Sequence, residues 1–133
     1  MNVYLAAPWK FRADAKQVAQ QIREAGYCIK SRWHDEWGDV EEAPAQAGNT
    51  NPDVLLDEAT ADYDDVKGSD VMIVLNLEKS EGKAVEQGLA LAWDKPVIVV
   101  GSERFNVFQY LPSFSLVATV HDALEHLKRI KIV

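Results

Sequence analysis

The sequence predicts a doubly wound α/β fold, with a parallel sheet of about five strands in a single domain over residues 1–133. Short apolar runs alternate along the chain with amphipathic segments of helical period. The runs are almost continuously apolar, as is typical of parallel strands buried on both faces. Right-handed crossovers would then place helices on both sides of the sheet.

The apolar runs that predict strands cover residues 2–7, 27–33, 70–76, 96–101 and 114–119. Helical patterns cover residues 12–26, 53–68, 84–93 and 120–129. In the first helix Val18, Ile22 and Ala25 share one face, and Gly26 ends it. Thr119 and Asp122 form a capping-box-like start for the last helix.

The second predicted helix carries an acid of interest beside its apolar stripe. The stripe consists of Leu55, Ala59, Tyr63 and Val66. Asp62 lies at its border, whereas Asp64 and Asp65 are expected to project well away from it. Asp62 is thus either a site residue or a solvated rim residue.

Composition and charge restrict the classes of partner. A net charge of −7 and a pI near 4.9 argue against nucleic acid and against an anionic membrane surface, so a small-molecule substrate fits better. The chain shows neither a membrane-length apolar run nor a signal-peptide pattern, so cytoplasm is the expected location. The single cysteine, Cys28, excludes an internal disulfide, argues against a cysteine metal site and is expected to pack as a small hydrophobe.

Three loops follow predicted strand ends and are the expected ligand loops of a flavodoxin-like or Rossmann-like sheet: residues 7–11, 76–84 and 101–112. Residues 34–52 form a further, acidic loop of unusual length. The glycine-rich phosphate motifs of dehydrogenases and P-loop NTPases are absent from the sequence, as are the G-x-S-x-G and H-E-x-x-H motifs. These absences remove the main support for the corresponding enzyme classes.

Glu86 is the acid that raises a question of chemistry. Gly82 is expected to allow a tight turn after the third strand, and Glu86 to lie in the first turn of the next helix. The helix dipole would keep the carboxylate ionised there, as a nucleophile requires. Acids at such positions also serve only to complement the dipole, so both interpretations stay open. Tyr4, inside the first strand, is by default a core residue.

Taken together, several segments resemble the nucleoside 2-deoxyribosyltransferases and their relatives, the 2-deoxynucleoside 5-phosphate N-hydrolases. The matching segments are VYLAAPW, SRW, DYDDVKGSDVMIVLN, GKAVEQGLALAWDKPVIVVG and NVF. The resemblance implies that Glu86 attacks the anomeric carbon of the sugar. It also implies that Tyr4 orients this nucleophile and that Asp62 contacts the sugar.

One position departs from the transferases and favours the nucleotide hydrolases. Where the transferases usually carry a sugar-binding aspartate, this chain has Ser80, and a hydroxyl can donate to a phosphate oxygen that a carboxylate would repel. Lys83 is a candidate charge partner for the phosphate. Pro8 counts against the hydrolases, because it stands where they have a further phosphate-binding serine. Ser80 as an ordinary turn residue and Lys83 as a solvated surface charge are the alternatives.

The chemistry that the resemblance implies needs no metal and no organic cofactor. Glu86 would displace the base and form a glycosyl ester, which a second base or water then resolves with net retention. Trp9, Trp33 and His34 are candidates to contact the base, or else core or lid residues. A catalytically silent nucleotide-binding module and an NAD glycohydrolase are the alternative functions.

The segment SERFNVFQYLP, residues 102–112, predicts a second subunit. It carries Phe105, Phe108, Tyr110 and Leu111 in an irregular loop that a small domain cannot bury well. The resemblance implies that Asn106 reaches a neighbouring protomer's pocket as a substrate ligand. A homodimer or higher homo-oligomer is therefore expected, with the alternative that the loop folds back on its own core.

Overall fold

The computed structural model describes residues 1–36 and 51–130, and these form a parallel sheet in the order β2-β1-β3-β4-β5. The strands are β1 (Asn2–Ala6), β2 (Cys28–Ile29), β3 (Val71–Leu75), β4 (Val97–Val100) and β5 (Phe114–Val117). The helices are α1 (Arg12–Glu24), α2 (Trp33–Glu36), α3 (Pro52–Lys67), α4 (Glu81–Ala92) and α5 (Val120–Leu127). This order confirms the predicted doubly wound, flavodoxin-like sheet.

β1 lies inside the sheet and has no contact with solvent along most of its length. Val3 to Ala6 are all 0% exposed. The next two strands of the sheet, β3 and β4, are also apolar and buried. β1 pairs with β3 from Val3 opposite Val71 to Ala6 opposite Val74. The carboxyl ends of β1 and β3 therefore emerge side by side, where the loops that follow them diverge.

The second strand is much shorter than the predicted run over residues 27–33. The last backbone bond of this ladder is from Lys30 N–H to the Val3 carbonyl oxygen at 2.8 Å. Beyond it, side chains take over: the Leu5 N–H donates to Ser31 Oγ at 3.1 Å, and Trp33 Nε1 donates to the Leu5 carbonyl oxygen at 2.7 Å. Trp33 itself begins the short helix α2. The predicted acidic loop over residues 34–52 has α2 and the start of α3 at its two described ends, and residues 37–50 lie outside the described part of the chain.

The helices begin and end largely where their capping residues predict. The Asn51 side chain accepts from Asp53 N–H at the start of α3, and Thr119 Oγ1 accepts from Asp122 N–H at the start of α5. Gly26, with a φ of 98°, follows the end of α1 in the left-handed region that favours glycine. Ala25, expected on the apolar face of α1, is exposed because the helix ends at Glu24.

The prediction that Asp65 projects away from the core is wrong. Asp65 is buried because Arg32 pairs with it, with Arg32 Nε at 3.1 and 3.0 Å from its two carboxylate oxygens and the Arg32 main-chain N–H donating to it as well. Ala59 and Tyr63, which were expected in the stripe, are exposed, although Tyr63 meets the edge of Trp93. Along much of α3 the less exposed face therefore lies one residue before the predicted stripe, at Glu58 rather than Ala59 and at Asp62 rather than Tyr63.

Two further observations concern the surface. Cys28, expected to pack as a small hydrophobe, is exposed because β2 is an edge strand of the sheet.

None of the helices in residues 1–36 and 51–130 combines the length and the apolar character that crossing a membrane would need.

Candidate active site

The Tyr4 side chain and the Glu86 carboxyl group are joined by a hydrogen bond. The Tyr4 hydroxyl, carried by the buried strand β1, donates to Glu86 Oε2 on α4, across 82 positions of the sequence. Tyr4 is completely buried and Glu86 is half-buried. Because Tyr4 is shielded from solvent, its hydroxyl needs a hydrogen-bond partner within the protein, and Glu86 on α4 is that partner.

Glu86 lies in the second turn of α4, not the first. Ser80 caps the helix and α4 begins at Glu81, three residues earlier than the predicted start at 84. Glu81 is then the acid in the first turn, and Glu86 is beyond the reach of the exposed N–H groups that form the positive end of the dipole.

The expectation that the dipole keeps Glu86 ionised is therefore wrong for this structure. Burial of the carboxyl group raises its pKa from 4.5 to about 8. The side chain thus holds its proton at neutral pH, and it must lose that proton before it can act as a nucleophile.

A cavity of about 320 Å³ opens between the start of α4 and the segment after β4. Its lining consists of Asn76, Lys79, Ser80, Glu81, Lys83, Ala84, Gln87, Phe105, Asn106 and Gln109. The cavity thus gathers Ser80, Lys83 and Asn106, three of the candidate substrate ligands. Tyr4 and Glu86 are not part of its wall, and Glu86 is about 60° around the helix from Lys83.

Ser80 and Gly82 both belong to the start of α4. The Ser80 hydroxyl oxygen accepts from Lys83 N–H at 3.3 Å, which is a helix N-cap bond. Gly82 is an exposed residue of the first helical turn. Among the described residues the only glycine with positive φ is Gly26, so Gly82 does not form the tight turn that was expected of it.

Lys83 is buried, so the interpretation as a solvated surface charge is wrong. It is 3% exposed, and its Nζ donates to the Glu78 carbonyl oxygen at 2.6 Å and to Asn76 Oδ1 at 3.3 Å. Nζ also lies 5.1 Å from the centre of the Phe105 ring. Burial lowers the pKa of Lys83 to about 8, although the nearby Glu78 carboxylate opposes the shift.

The candidate base-contacting aromatics cluster beyond the carboxyl end of β1. The Trp9 and Trp33 ring centres are 6.0 Å apart, and the Trp33 and His34 ring centres are 5.4 Å apart. His34 is fully buried with Nε2 at 3.1 Å from Ser31 Oγ, and desolvation lowers its pKa below 6.5. His34 is therefore neutral at neutral pH. Pro8 precedes the short 3₁₀ turn Trp9–Phe11 and accepts a hydrogen bond from Phe11 N–H.

Asp62 and Asn106 lie in different parts of the structure. Asp62 is half-buried on α3, a helix that packs against α4. Asn106 is exposed, and its Oδ1 accepts from Phe108 N–H at 3.0 Å, which caps the 3₁₀ turn Val107–Tyr110. Asn106 thus lines the cavity of its own chain, and Glu86 does not.

Three buried amides at the cavity were missed by sequence reasoning: Asn76, Gln87 and Gln109. Gln109 Nε2 donates to Gln87 Oε1 at 2.8 Å, and Gln87 Nε2 donates to the Lys83 carbonyl oxygen at 3.1 Å. One signal was present for Gln87, because it lies four residues after Lys83 and so shares its face of the helix. No signal in the sequence pairs Gln109 with α4.

The family model for nucleoside 2-deoxyribosyltransferases matches residues 3–123, which is most of the chain. The chain belongs to the nucleoside 2-deoxyribosyltransferase family. Membership supports cleavage of an N-glycosidic bond as the general class of reaction. A comparison with curated proteins found no match.

Three solved structures of other proteins share the fold. A 2-deoxyribosyltransferase from Bacillus psychrosaccharolyticus superposes with a TM-score of 0.68 at 20% identity, covering 93% of this chain and 90% of the other. The Clostridium botulinum CMP N-glycosidase BcmB gives a TM-score of 0.58 at 20% identity, covering 98% and 100%. BlsM gives 0.62 at 17% identity, covering 93% and 85%.

The raised pKa of Glu86 predicts a pH-dependent stability. The unfolded chain releases this proton near pH 4.5, whereas the folded chain holds it up to about pH 8. The contribution to stability is therefore complete below pH 4.5 and is lost as the pH rises through about 8. Relative to a Glu86→Gln variant, which cannot titrate there, the wild type should lose unfolding free energy across this window and level off above it.

Urea denaturation of both proteins at closely spaced pH values measures this difference. Burial also lowers the pKa values of Lys83 and His34, but both groups are present in both proteins, so the comparison removes their contributions. A difference that stays constant with pH would show that Glu86 has an ordinary pKa in the folded state.

Proposed function

We propose that this protein cleaves the N-glycosidic bond of deoxynucleosides or nucleotides through a covalent glycosyl ester on Glu86, as a nucleoside 2-deoxyribosyltransferase-like enzyme. The hydrogen bond from the Tyr4 hydroxyl to the Glu86 carboxyl group carries the proposal. It fixes the orientation of one carboxyl oxygen and leaves the second oxygen available for attack. The family match supports the class of reaction.

In the proposed mechanism, the ionised Glu86 oxygen forms a bond to C1 of the sugar while the bond from C1 to the base nitrogen breaks. The transition state resembles an oxocarbenium ion, as in retaining glycosidases, and the bonding electrons leave with the base. A second base or water then attacks C1 and releases Glu86, with net retention. Water as acceptor makes the enzyme a hydrolase, and a base makes it a transferase.

The raised pKa of Glu86 limits the fraction of the free enzyme that is ready for attack at neutral pH. At pH 7 roughly a tenth of the free enzyme would carry the carboxylate, given a pKa of about 8. Positive charge that develops on the sugar would stabilise the carboxylate at the moment of attack. The Tyr4 hydroxyl, as a donor, also favours the ionised form once substrate occupies the site. Asp62 is proposed as the sugar-binding acid on the neighbouring helix α3.

A second candidate, a 2-deoxynucleoside 5-monophosphate N-hydrolase, is supported by the cavity at the start of α4. Ser80 and the helix N-terminus are suited to an anion, and Lys79 and Lys83 add positive charge to the same wall. Lys83 Nζ already donates to Asn76 and to a carbonyl oxygen. Lys83 would therefore stabilise a bound phosphate through its positive charge rather than through a direct hydrogen bond.

Trp9 and Trp33 are proposed to contact the base.

Loss of the nucleophile should abolish base release. We expect Glu86→Gln, which keeps an acceptor for the Tyr4 hydroxyl, and Glu86→Ala to lower the rate by at least about a thousandfold. Chromatography of free base, after incubation with deoxynucleosides, deoxynucleotides and NAD, measures the effect and also tests the alternative substrates. Glu24→Gln on α1, an exposed acid, is the matched control and should retain full activity.

Near-wild-type turnover by Glu86→Gln would refute the covalent mechanism. Binding of nucleotides without any release of base by the wild type would instead indicate a silent binding module, and release of nicotinamide alone would indicate an NAD glycohydrolase.

The proposed binding of a 5-phosphate by Ser80 can be tested through the preference between monophosphates and nucleosides. If this residue holds a 5-phosphate, monophosphates should be preferred to nucleosides, and Ser80→Asp should flatten or reverse the preference, because two anions repel. Aspartate is also a good N-cap, so α4 should keep its start. The ratio of kcat/KM for the two substrates measures the change. A wild-type preference for nucleosides would favour the transferase.

The site is proposed to be completed by a second subunit of the same chain. Val107, Phe108 and Tyr110 are 75%, 61% and 71% exposed beside Asn106, which supports an interface on this segment. Asn106→Ala and Glu86→Ala should each be inactive. After subunit exchange in an equal mixture, about a quarter of the sites of a dimer would combine an intact Glu86 with an intact Asn106.

Recovered base release in the mixture measures these hybrid sites. Asn106→Asp, which keeps the acceptor for Phe108 N–H, separates loss of the ligand from loss of the turn. No recovery together with a monomer in sedimentation, or full activity of Asn106→Ala, would rule out the shared site.

A further inference from the structure

Three amide side chains are enclosed between β3, α4 and the segment after β4. Asn76, Gln87 and Gln109, called here the amide network, are 6%, 5% and 1% exposed. Asn76 follows β3, Gln87 belongs to α4, and Gln109 belongs to the segment that carries Asn106. The three side chains thus come from three separate parts of the fold.

Gln109 connects the other parts through both ends of its amide. Its Nε2 donates to Gln87 Oε1 at 2.8 Å, and its Oε1 accepts from the main-chain N–H of Phe105 at 2.8 Å. Asn76 Nδ2 lies 3.4 Å from the same Gln109 Oε1 and donates to the Glu103 carbonyl oxygen at 2.8 Å. The segment over residues 103–110 is therefore held at two main-chain positions.

The energetic cost of this arrangement argues for a purpose beyond filling space. Buried amides are costly unless their hydrogen bonds are satisfied, and apolar side chains of the same volume would fill such an interior at no such cost. Satisfied amides accept only a narrow set of distances and angles, so they fix a geometry that apolar contacts leave loose.

The geometry that the network fixes is the width of the cavity. Phe105 and Asn106 line the cavity on the wall formed by the segment after β4, and Ser80 and Lys83 line it on the wall formed by α4. Gln109 is bonded to Phe105 N–H on one side and to Gln87, one helical turn after Lys83, on the other. The distance between the walls is thus set by the amide of Gln109.

We propose that Gln109 is a positioning residue that holds the segment over residues 103–110, and with it Phe105, at a fixed distance from α4. This rests on the proposed function only in so far as the cavity takes part in substrate binding. Gln109 does not itself react, and it acts through the placement of Phe105 and Asn106.

Gln109→Met tests the proposal, because methionine keeps the size of the side chain and loses its hydrogen bonds. The first readout is cleavage of the folded protein by trypsin after Arg104, identified by the mass of the fragments and independent of any activity. Arg104 Nε donates to the Gln109 carbonyl oxygen, which ties the Arg104 side chain to the segment. We expect trypsin to bind this side chain only after the segment opens. We expect cleavage at least about tenfold faster in Gln109→Met.

Ile22→Val, a truncation in the buried face of α1, is the control for a general loss of stability and should leave the cleavage rate after Arg104 unchanged. Gln87→Met removes the bond to Gln109 Nε2 and keeps the bond from Phe105 N–H to Gln109, so it should be cleaved at a rate between those of the wild type and Gln109→Met. The double variant should be cleaved about as fast as Gln109→Met, because Gln109→Met has already lost the bond between the two side chains. Gln109→Glu, which keeps the acceptor for Phe105 N–H, should be cleaved at an intermediate rate and serves if the methionine variant does not fold.

The second readout is the release of base from the substrate that the wild type prefers. Gln109→Met should raise KM about tenfold or more, and kcat should fall less, since Glu86 and Tyr4 lie outside the network. Wild-type cleavage and wild-type KM in both Gln109 variants would overturn the proposal. Faster cleavage after Arg104, in a protein that releases base from no substrate, would leave the positioning role intact and refute the proposed function.

Discussion

The burial of β1 is the constraint on which the rest of the structure depends. With Val3 to Ala6 sealed from solvent, every polar group on this strand must find a partner within the protein. The Tyr4 hydroxyl finds the Glu86 carboxyl group, and the Leu5 main chain finds Ser31 and Trp33. One strand therefore recruits α4 on one side and the aromatic cluster on the other, which places both beside the carboxyl ends of β1 and β3.

The ion pair between Arg32 and Asp65 extends this arrangement to α3. Arg32 directly precedes Trp33, and its guanidinium and main-chain N–H both donate to the Asp65 carboxylate. Because half of the Arg32 side chain remains in solvent, the pair avoids much of the cost of burying two charges. The ion pair thus fixes α3, the helix that carries Asp62, against residues 31–33. The same residues bond the main chain of Leu5.

Much of the fold could be predicted from the sequence because apolar period and capping residues act locally. The runs that became β1, β3 and β4 and the Thr119 cap needed no knowledge of distant residues. β2 was predicted too long, because the replacement of its ladder by the side chains of Ser31 and Trp33 depends on tertiary placement. Asp65 was misplaced for the same reason: its burial is decided by Arg32, 33 positions away.

The pair of Tyr4 and Glu86 was anticipated through a family resemblance, and its electrostatics were not. Position in a helix predicted an ionised acid, but the earlier start at Ser80 moved Glu86 away from the dipole, and desolvation then dominated its pKa. Lys83 has a charge that usually marks a surface, and its burial depends on Asn76, on the Glu78 carbonyl oxygen and on Phe105 in the segment after β4.

Cys28 is an exposed thiol on the edge strand β2 of the sheet. Because Cys28 lies near the amino ends of the strands, at the opposite end of the sheet from the candidate site, energy transfer between maleimide dyes attached there would measure whether two copies of the chain associate, without a label at the candidate site.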